Sequence, residues 1–368
     1  MNVLFFVETG CGNGRAMVDE AVAIHDNTDI NVYTMSSNVN QEPGLLTLLH
    51  EDGIENIILD GLDKHDNFRN HCKIIRKCIQ NKKIDIVHVQ TNWELLLVRM
   101  SLIGIGRCPK VIYTIHSFRN NKSWLKKNIA RTLITVQLLL FVDKVIATSN
   151  FLYSNFKIVR YKMIILPLGV DNRFMERTFV CLERGLRIIF PGMFREGKGQ
   201  DMLIRAFYQY TIESVDNSSL VFLPGDGEML DSCKQLVNDF KLNKQILFPG
   251  RLSKEEVLDY FDRSNILVCT SISETFSQIL AEAFCLGKCI ISTPVGIAND
   301  IIEDEKNGFI INNETQLKNV LLKLSDNLQL VNNMGLNNFT QKEQFSWQRI
   351  SQDYAIICKS LLKQINNE

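Results

Sequence analysis

The chain has 368 residues, 45% of them hydrophobic and 22% charged, a balance ordinary for a soluble globular enzyme and a length that predicts two domains. Its formal net charge of zero argues against wholesale nucleic-acid binding. The longest nearly apolar run, residues 133–142, is about half of the roughly 20 residues that a membrane span needs, so a cytoplasmic protein is expected.

Short apolar runs alternate with helical patterns almost throughout. Residues 1–8 lack the basic residues and cleavage site of a signal peptide and predict a first strand. The loop Gly10-Cys11-Gly12-Asn13-Gly14-Arg15 follows, before a helix over 16–25. A dinucleotide fingerprint needs glycine at the sixth place, which Arg15 occupies, and this weakens an NAD reading. Further strands are predicted over 30–35, 57–59, 84–89, 111–115, 145–148 and 164–166, with helices over 68–80 and 93–103 between them. His116 ends the strand 111–115, at the edge where open α/β sheets bind ligands, whereas His88 alternates within its strand and suits packing. Residues 82–170 carry fourteen basic and three acidic side chains, a surplus of eleven. Within them Lys122, Trp124, Lys126, Lys127 and Arg131 mix cations with an indole. That composition suits an anionic membrane surface, each cation contributing on the order of 1 kcal/mol. It could equally engage a lipid-linked diphosphate acceptor, and a solvated basic helix is the alternative.

An irregular polar stretch over 171–187 marks the domain boundary. The rhythm then repeats, with strands over 187–190, 220–223, 246–248, 266–269 and 289–292. Strands this apolar, separated by helices, imply parallel sheets covered on both faces, and two such sheets in series imply two Rossmann-like domains. The ten cysteines are scattered singly and match no zinc spacing, so reduced thiols are expected.

The segment Pro191-Gly192-Met193-Phe194-Arg195-Glu196-Gly197-Lys198-Gly199 approaches a P-loop, but Gly199 stands where the magnesium-binding hydroxyl belongs. The loops Pro224-Gly225-Asp226-Gly227 and Pro249-Gly250-Arg251 fit nucleotide contact. Most informative is the run from Ser273 to Phe284, which holds Glu274 in a loop and Glu282 on the helix that follows. A helix beginning there presents free amides near Phe276, Ser277 and Gln278, with the positive end of its dipole, to a diphosphate. Acceptor-only carboxylates on either side suit sugar and ribose hydroxyls. The same spacing also fits two surface glutamates framing an ordinary strand-to-helix turn.

Glu274, Phe276 and Glu282, with the following Gly287-Lys288-Cys289-Ile290-Ile291-Ser292-Thr293-Pro294-Val295-Gly296, resemble the signature of glycosyltransferase family 4, the group 1 glycosyltransferases. The resemblance covers essentially the whole chain. It implies a GT-B fold: an acceptor-binding domain over 1–172, a nucleotide-sugar-binding domain over 173–345 facing it across a cleft, and a crossover helix over 346–368. It assigns Glu282 to the ribose, Glu274 to the donor sugar, Lys198 to the diphosphate, and His116 to the neighbourhood of the donor sugar. Gly12 and Gly14 would approach the donor closely, and Arg15 would contact an anion. Departures accompany it. The family carries glycines beside the phenylalanine where this chain has Thr275 and Ser277, and an arginine where it has Met193, a charge that Arg195 could replace.

The resulting expectation is a retaining, metal-independent and cofactor-free transferase acting on a nucleotide diphosphate sugar, a hexosyl- or N-acetylhexosaminyltransferase. His116, Lys198 and Glu274 would serve the chemistry. Gly12, Gly14, Arg195, Lys198, Gly225, Arg251, Phe276, Ser277, Gln278 and Glu282 would hold the donor. The acceptor would be a sugar or lipid-linked glycan in surface polysaccharide synthesis, with the protein peripheral at the inner face of the membrane. Two rivals stay open: a GT-B nucleotide-sugar epimerase, and a non-catalytic nucleotide-sugar-binding subunit.

Overall fold

A computed structural model describes residues 1–7, 14–37, 45–59, 67–116, 124–181, 183, 185–215 and 218–363. The chain divides into two compact units, one of Met1–Gly169 with Trp347–Glu368 and one of Val170–Ser346. The N-terminal unit holds a seven-stranded sheet: β1 (Asn2–Val7), β2 (Asn31–Ser37), β3 (Glu55–Leu59), β4 (Ile86–Val89), β5 (Lys110–Ile115), β6 (Lys144–Ala147) and β7 (Met163–Ile165). Its order is β3-β2-β1-β4-β5-β6-β7, with every pairing parallel. The chain therefore reverses its direction of travel across the sheet between β1 and β4, the switch point at which such sheets open a ligand crevice. The expected strand over 84–89 starts two residues late. Lys83 adopts a left-handed φ of 50° and the Ile84 amide bonds back to the Ile79 carbonyl, so those residues finish the preceding helix.

Two apolar layers cover this sheet. One packs Leu4, Phe6, Val87, Val111 and Val145 beneath the helices Phe68–Asn81, Asn92–Ser101 and Trp124–Phe141. The other sets Val3, Phe5, Ile86, Ile112 and Ile146 against the helix Gly14–Asn27 and the C-terminal helix Trp347–Lys363. That last helix returns to the first unit and contributes Trp347, Ile350, Tyr354, Cys358 and Leu361 to its core. His88 serves packing: it is fully buried, with Nε2 2.7 Å from Thr114 Oγ1 and Nδ1 3.1 Å from Tyr354 Oη.

The second unit holds β8 (Arg187–Ile189), β9 (Leu220–Pro224), β10 (Ile246–Gly250), β11 (Ile266–Cys269), β12 (Cys289–Ser292) and β13 (Gly308–Ile310), in the parallel order β10-β9-β8-β11-β12-β13. The edge strand β13 escapes sequence reading, because its three residues give too little alternation to register. Strands β11 and β12 are buried along their whole length, which is why they read as unbroken apolar runs. Among the described residues, no helix is long and apolar enough to cross a membrane, and all nine cysteines are free thiols.

Candidate functional site

In the second unit the site grows from two loops at the carboxyl edge of neighbouring strands β8 and β11. The loop after β8 runs from Pro191 to Gly199, where the helix Gln200–Glu213 begins, and the loop after β11 leads to the helix Gln278–Cys285. Two hydrogen bonds tie them together: Thr270 Oγ1 donates to the Gly199 carbonyl at 2.6 Å, and the Ile272 amide donates to the Gly197 carbonyl at 2.8 Å. Gly199 is left-handed, with φ of 85°, and a Cβ there would run into the Thr270 carbonyl. The serine or threonine of a P-loop therefore has no room at this position, and the loop belongs to a different phosphate geometry.

The clamp sets Lys198 beside Glu274. Their Nζ and Oε1 lie 2.6 Å apart, with both side chains largely withdrawn from solvent. The pair lines a cavity of about 370 Å³, together with Gly192, Lys254, Ser277, Gln278 and Glu282. The first turn of the helix Gln278–Cys285 opens onto the same cavity, so its dipole and Lys198 place positive potential at one spot. Ser277 precedes that turn in a left-handed conformation, with φ of 70° and ψ of 82°. The backbone thus keeps a glycine-type geometry although the residue is serine, and its hydroxyl makes no capping bond.

Glu282 lies just over one turn into this helix, and no described residue donates a hydrogen bond to its carboxylate. Burial pushes its carboxyl up to about 8, opposed by Lys254 and reinforced by Asp171. Lys254 Nζ lies 2.9 Å from Asp171 Oδ2, and Arg173 grips the same carboxylate through Nε at 3.0 Å and Nη2 at 2.8 Å. Burial disfavours the Asp171 anion, but the bonds from Arg173 and Lys254 hold it well below the usual carboxylate range. Sequence reasoning passes over Lys254, since Ser253-Lys254-Glu255-Glu256 reads as a capping box and forms one. Nothing in that motif signals a cavity lysine.

A neighbouring cavity of about 440 Å³ is lined by Met193, Gly225, Asp226 and Arg251. Its walls are the loops expected to meet a nucleotide, and Met193 faces it where the resembled family has arginine. Arg195 is exposed and lines neither cavity. The Phe276 ring is buried and packs edge-on against Phe345, so Phe276 can serve the site only through its backbone.

In the N-terminal unit His116 follows β5 and is 7% exposed, and burial pulls its imidazole down to about 4, neutral at pH 7. Gly14 opens the helix Gly14–Asn27, and Arg15 Nε is paired with Asp19 at 2.8 Å. Gly12 and Lys122 lie outside the described residues. Trp124, Lys126 and Lys127 fall on the first turns of the helix Trp124–Phe141, with their side chains also outside that description. The Arg131 guanidinium donates to the Asn155 carbonyl, which commits it within the domain.

Residues 181–341 match the family "Glycosyl transferases group 1", and residues 35–174 match "Glycosyltransferase Family 4". An uncharacterized glycosyltransferase of Methanocaldococcus jannaschii is 26% identical over 309 residues, spanning 81% of this chain and 84% of its own. The alpha-monoglucosyldiacylglycerol synthase of Acholeplasma laidlawii is 22% identical over 379 residues, spanning 89% and 92%. The crystal structure of Anabaena HepE in complex with UDP shares the fold with a TM-score of 0.79 at 17% identity, over 98% of this chain and 100% of that one. Matched in both halves and built on two parallel-sheet Rossmann-like domains, the chain belongs to the family 4, or group 1, glycosyltransferases of GT-B fold.

Proposed function

We propose that this glycosyltransferase takes its sugar from a nucleoside diphosphate sugar held in the paired cavities of the second unit. The observation that carries the reading is one cavity that joins the Lys198–Glu274 pair, the first turn of the helix Gln278–Cys285 and an unbonded Glu282. In this reading the diphosphate draws Lys198 and the helix N-terminus onto its oxygens, and Glu274 turns to the hydroxyls of the sugar. Glu282 accepts from the ribose, and the base lies in the cavity of Gly225 and Arg251. Lys198 and the helix dipole supply the charge that stabilises the departing diphosphate, so the chemistry requires no metal. Retention is what family membership implies. With Glu274 engaged in holding hydroxyls, front-face attack by the acceptor suits retention better than a carboxylate nucleophile, and neutral His116 would orient the reacting groups.

The acceptor in this reading is lipid-linked, and the enzyme works at a membrane surface. Leu133, Val136 and Leu140 stand exposed on one face of the helix Trp124–Phe141, and Leu96 and Met100 are exposed on the helix Asn92–Ser101 beside it. Five apolar side chains in a stretch with a surplus of eleven positive charges suit an anionic bilayer. The synthase relative, named for a glucosylated diacylglycerol, supports the same choice.

The test is a panel of UDP-, GDP- and ADP-sugars scored for nucleoside diphosphate release with and without EDTA, alongside donor-induced thermal shifts. EDTA-resistant release from one donor, lost in Lys198→Ala and Glu282→Ala, is expected. Donor shifts equal in the wild type and both variants would sink the site. Flotation with phosphatidylglycerol vesicles, weakened by Leu133→Ser with Leu140→Ser, tests the membrane surface separately.

A further inference from the structure

Three elements of the second unit converge on the Glu282 carboxyl. The short helix Asn172–Met175 is capped by Asp171, whose side chain accepts from the Arg173 amide at 3.1 Å. The helix Lys254–Asp262 starts with Lys254, and the helix Gln278–Cys285 carries Glu282 itself. Phe174, Lys254, Val257 and Glu282 line one cavity of about 370 Å³. The other neighbours leave the charge balance there unchanged. The helix Leu328–Phe339, packed on the Glu282 helix, has no charged residue. Cys285, one turn on, is kept a neutral thiol by burial, with Lys342 and Glu343 acting on it in opposite directions. Lys198 and Glu274 pair with each other in the same cavity. Ionisation of Glu282 is therefore left to Lys254, Asp171 and Arg173.

Lys254 and Asp171 act on Glu282 with opposite sign: the ammonium favours its anion and the Asp171 carboxylate disfavours it. Yet Lys254 is engaged elsewhere, with Nζ 2.9 Å from Asp171 Oδ2. Arg173 grips the same carboxylate with two nitrogens, Nε and Nη2, and its Nη1 reaches Glu255 Oε1 at 2.8 Å. A planar guanidinium satisfies a carboxylate in this way, whereas a lysine is a point charge on a flexible stem. Of the two cations on Asp171, Lys254 is the one free to leave, and it already faces the cavity.

We propose that Lys254 is a positioning residue for the donor, turning from Asp171 to Glu282 on nucleotide-sugar binding and so holding the ribose carboxylate ionised. The proposal rests on the donor reading above and adds a regulation of that site: Asp171, the second residue of the second unit, competes with Glu282 for one ammonium. The Glu282 proton leaves to solvent, the ribose hydroxyls donate to the anion, Lys254 supplies the counter-charge and Asp171 keeps Arg173. No covalent bond other than the carboxyl O–H changes.

Two readouts on the full chain test this. In ligand-free protein labelled with δ-13C glutamate, Glu282 is titrated by carboxyl NMR, its signal assigned with Glu282→Gln. Its midpoint should rise by at least about half a pH unit in Lys254→Met and fall by at least as much in Asp171→Asn. Isothermal titration at pH 7 then uses whichever of UDP-, GDP- and ADP-glucose gives the largest thermal shift. Affinity should drop at least about threefold in Lys254→Met, return to within about twofold of wild type in Lys254→Arg, and rise at least about threefold in Asp171→Asn. A gain of affinity on deleting a native ion pair is not what a merely structural Asp171 gives. Midpoints unmoved in both variants overturn the proposal, as does weaker donor binding by folded Asp171→Asn. Should Asp171→Asn fail to fold, equal affinities of wild type, Lys254→Met and Lys254→Arg overturn it. Absence of any nucleotide-induced shift defeats the donor reading and this proposal with it, and displaced ligand-free midpoints then show that the fault lies with the donor.

Discussion

Glu282 makes donor binding depend on pH in a direction that can be worked out. Burial raises its carboxyl to about 8, so the ligand-free enzyme holds it mostly protonated at pH 7. Ribose hydroxyls donate to a carboxylate, and their binding selects the ionised form. With a value of about 8, roughly 1% of the sites are ionised at pH 6, about 9% at pH 7 and half at pH 8. Affinity should therefore rise about 50-fold between pH 6 and pH 8, or about 2.3 kcal/mol, and level off above. Each donor molecule bound at or below pH 7 should release close to one proton, and about half a proton at pH 8. Isothermal titration of a UDP- or GDP-sugar, repeated in buffers of different ionisation enthalpy, reads both quantities. The diphosphate of a nucleotide sugar is a diester and does not titrate in this window, which leaves Glu282 to set the slope. Glu282→Gln should bind more weakly at pH 8 and lose the slope. A flat profile in the wild type, or a slope that survives in Glu282→Gln, would refute the assignment.

Other expectations follow from the same geometry. In the ligand-free protein, Glu282 keeps a proton that the unfolded chain sheds above its ordinary value of 4.5, so its contribution to stability falls as pH rises from about 4.5 to 8. Buried Glu20, raised to about 8 in the same way, adds to that fall, and Glu20→Gln should flatten the profile in pH-dependent denaturation. Ser277→Gly should stabilise the protein by about 1 kcal/mol, since Ser277 is left-handed and makes no capping bond. A lower Tm for that variant would contradict the geometry. Gly199→Ser should cost about 2–5 kcal/mol, from a left-handed penalty and a clash with the Thr270 carbonyl, measurable by denaturant titration. Arg195→Ala, at an exposed position outside both cavities, should change donor turnover less than about twofold, whereas Lys198→Ala should lose at least tenfold.

Most of the architecture is legible in the sequence because buried parallel strands must be nearly all apolar, and β11 and β12 announce themselves on that ground alone. The Glu274 and Glu282 spacing is legible too, since a loop followed by a helix fixes where each carboxylate sits. Side-chain commitments are not legible. The pairing of Lys198 with Glu274 depends on Thr270 and Ile272 reaching across to the loop after β8, a contact between residues some 70 positions apart. Lys254 enters the cavity from a capping box that serves any helix equally well.

The return of the helix Trp347–Lys363 to the N-terminal unit makes that domain discontinuous in sequence, and this bears on biogenesis. A ribosome delivers the seven strands of the first sheet long before it delivers the helix that covers one of their faces. Until then Phe5, Ile86 and Ile112 lack part of their cover and His88 waits for Tyr354, while the intervening domain, contiguous from Val170 to Ser346, is free to fold alone. The first domain to emerge is thus the last to be finished. A nascent chain that stalls before Trp347 would display an incomplete apolar surface to chaperones and proteases, so only a chain that has also produced its second domain can close its first.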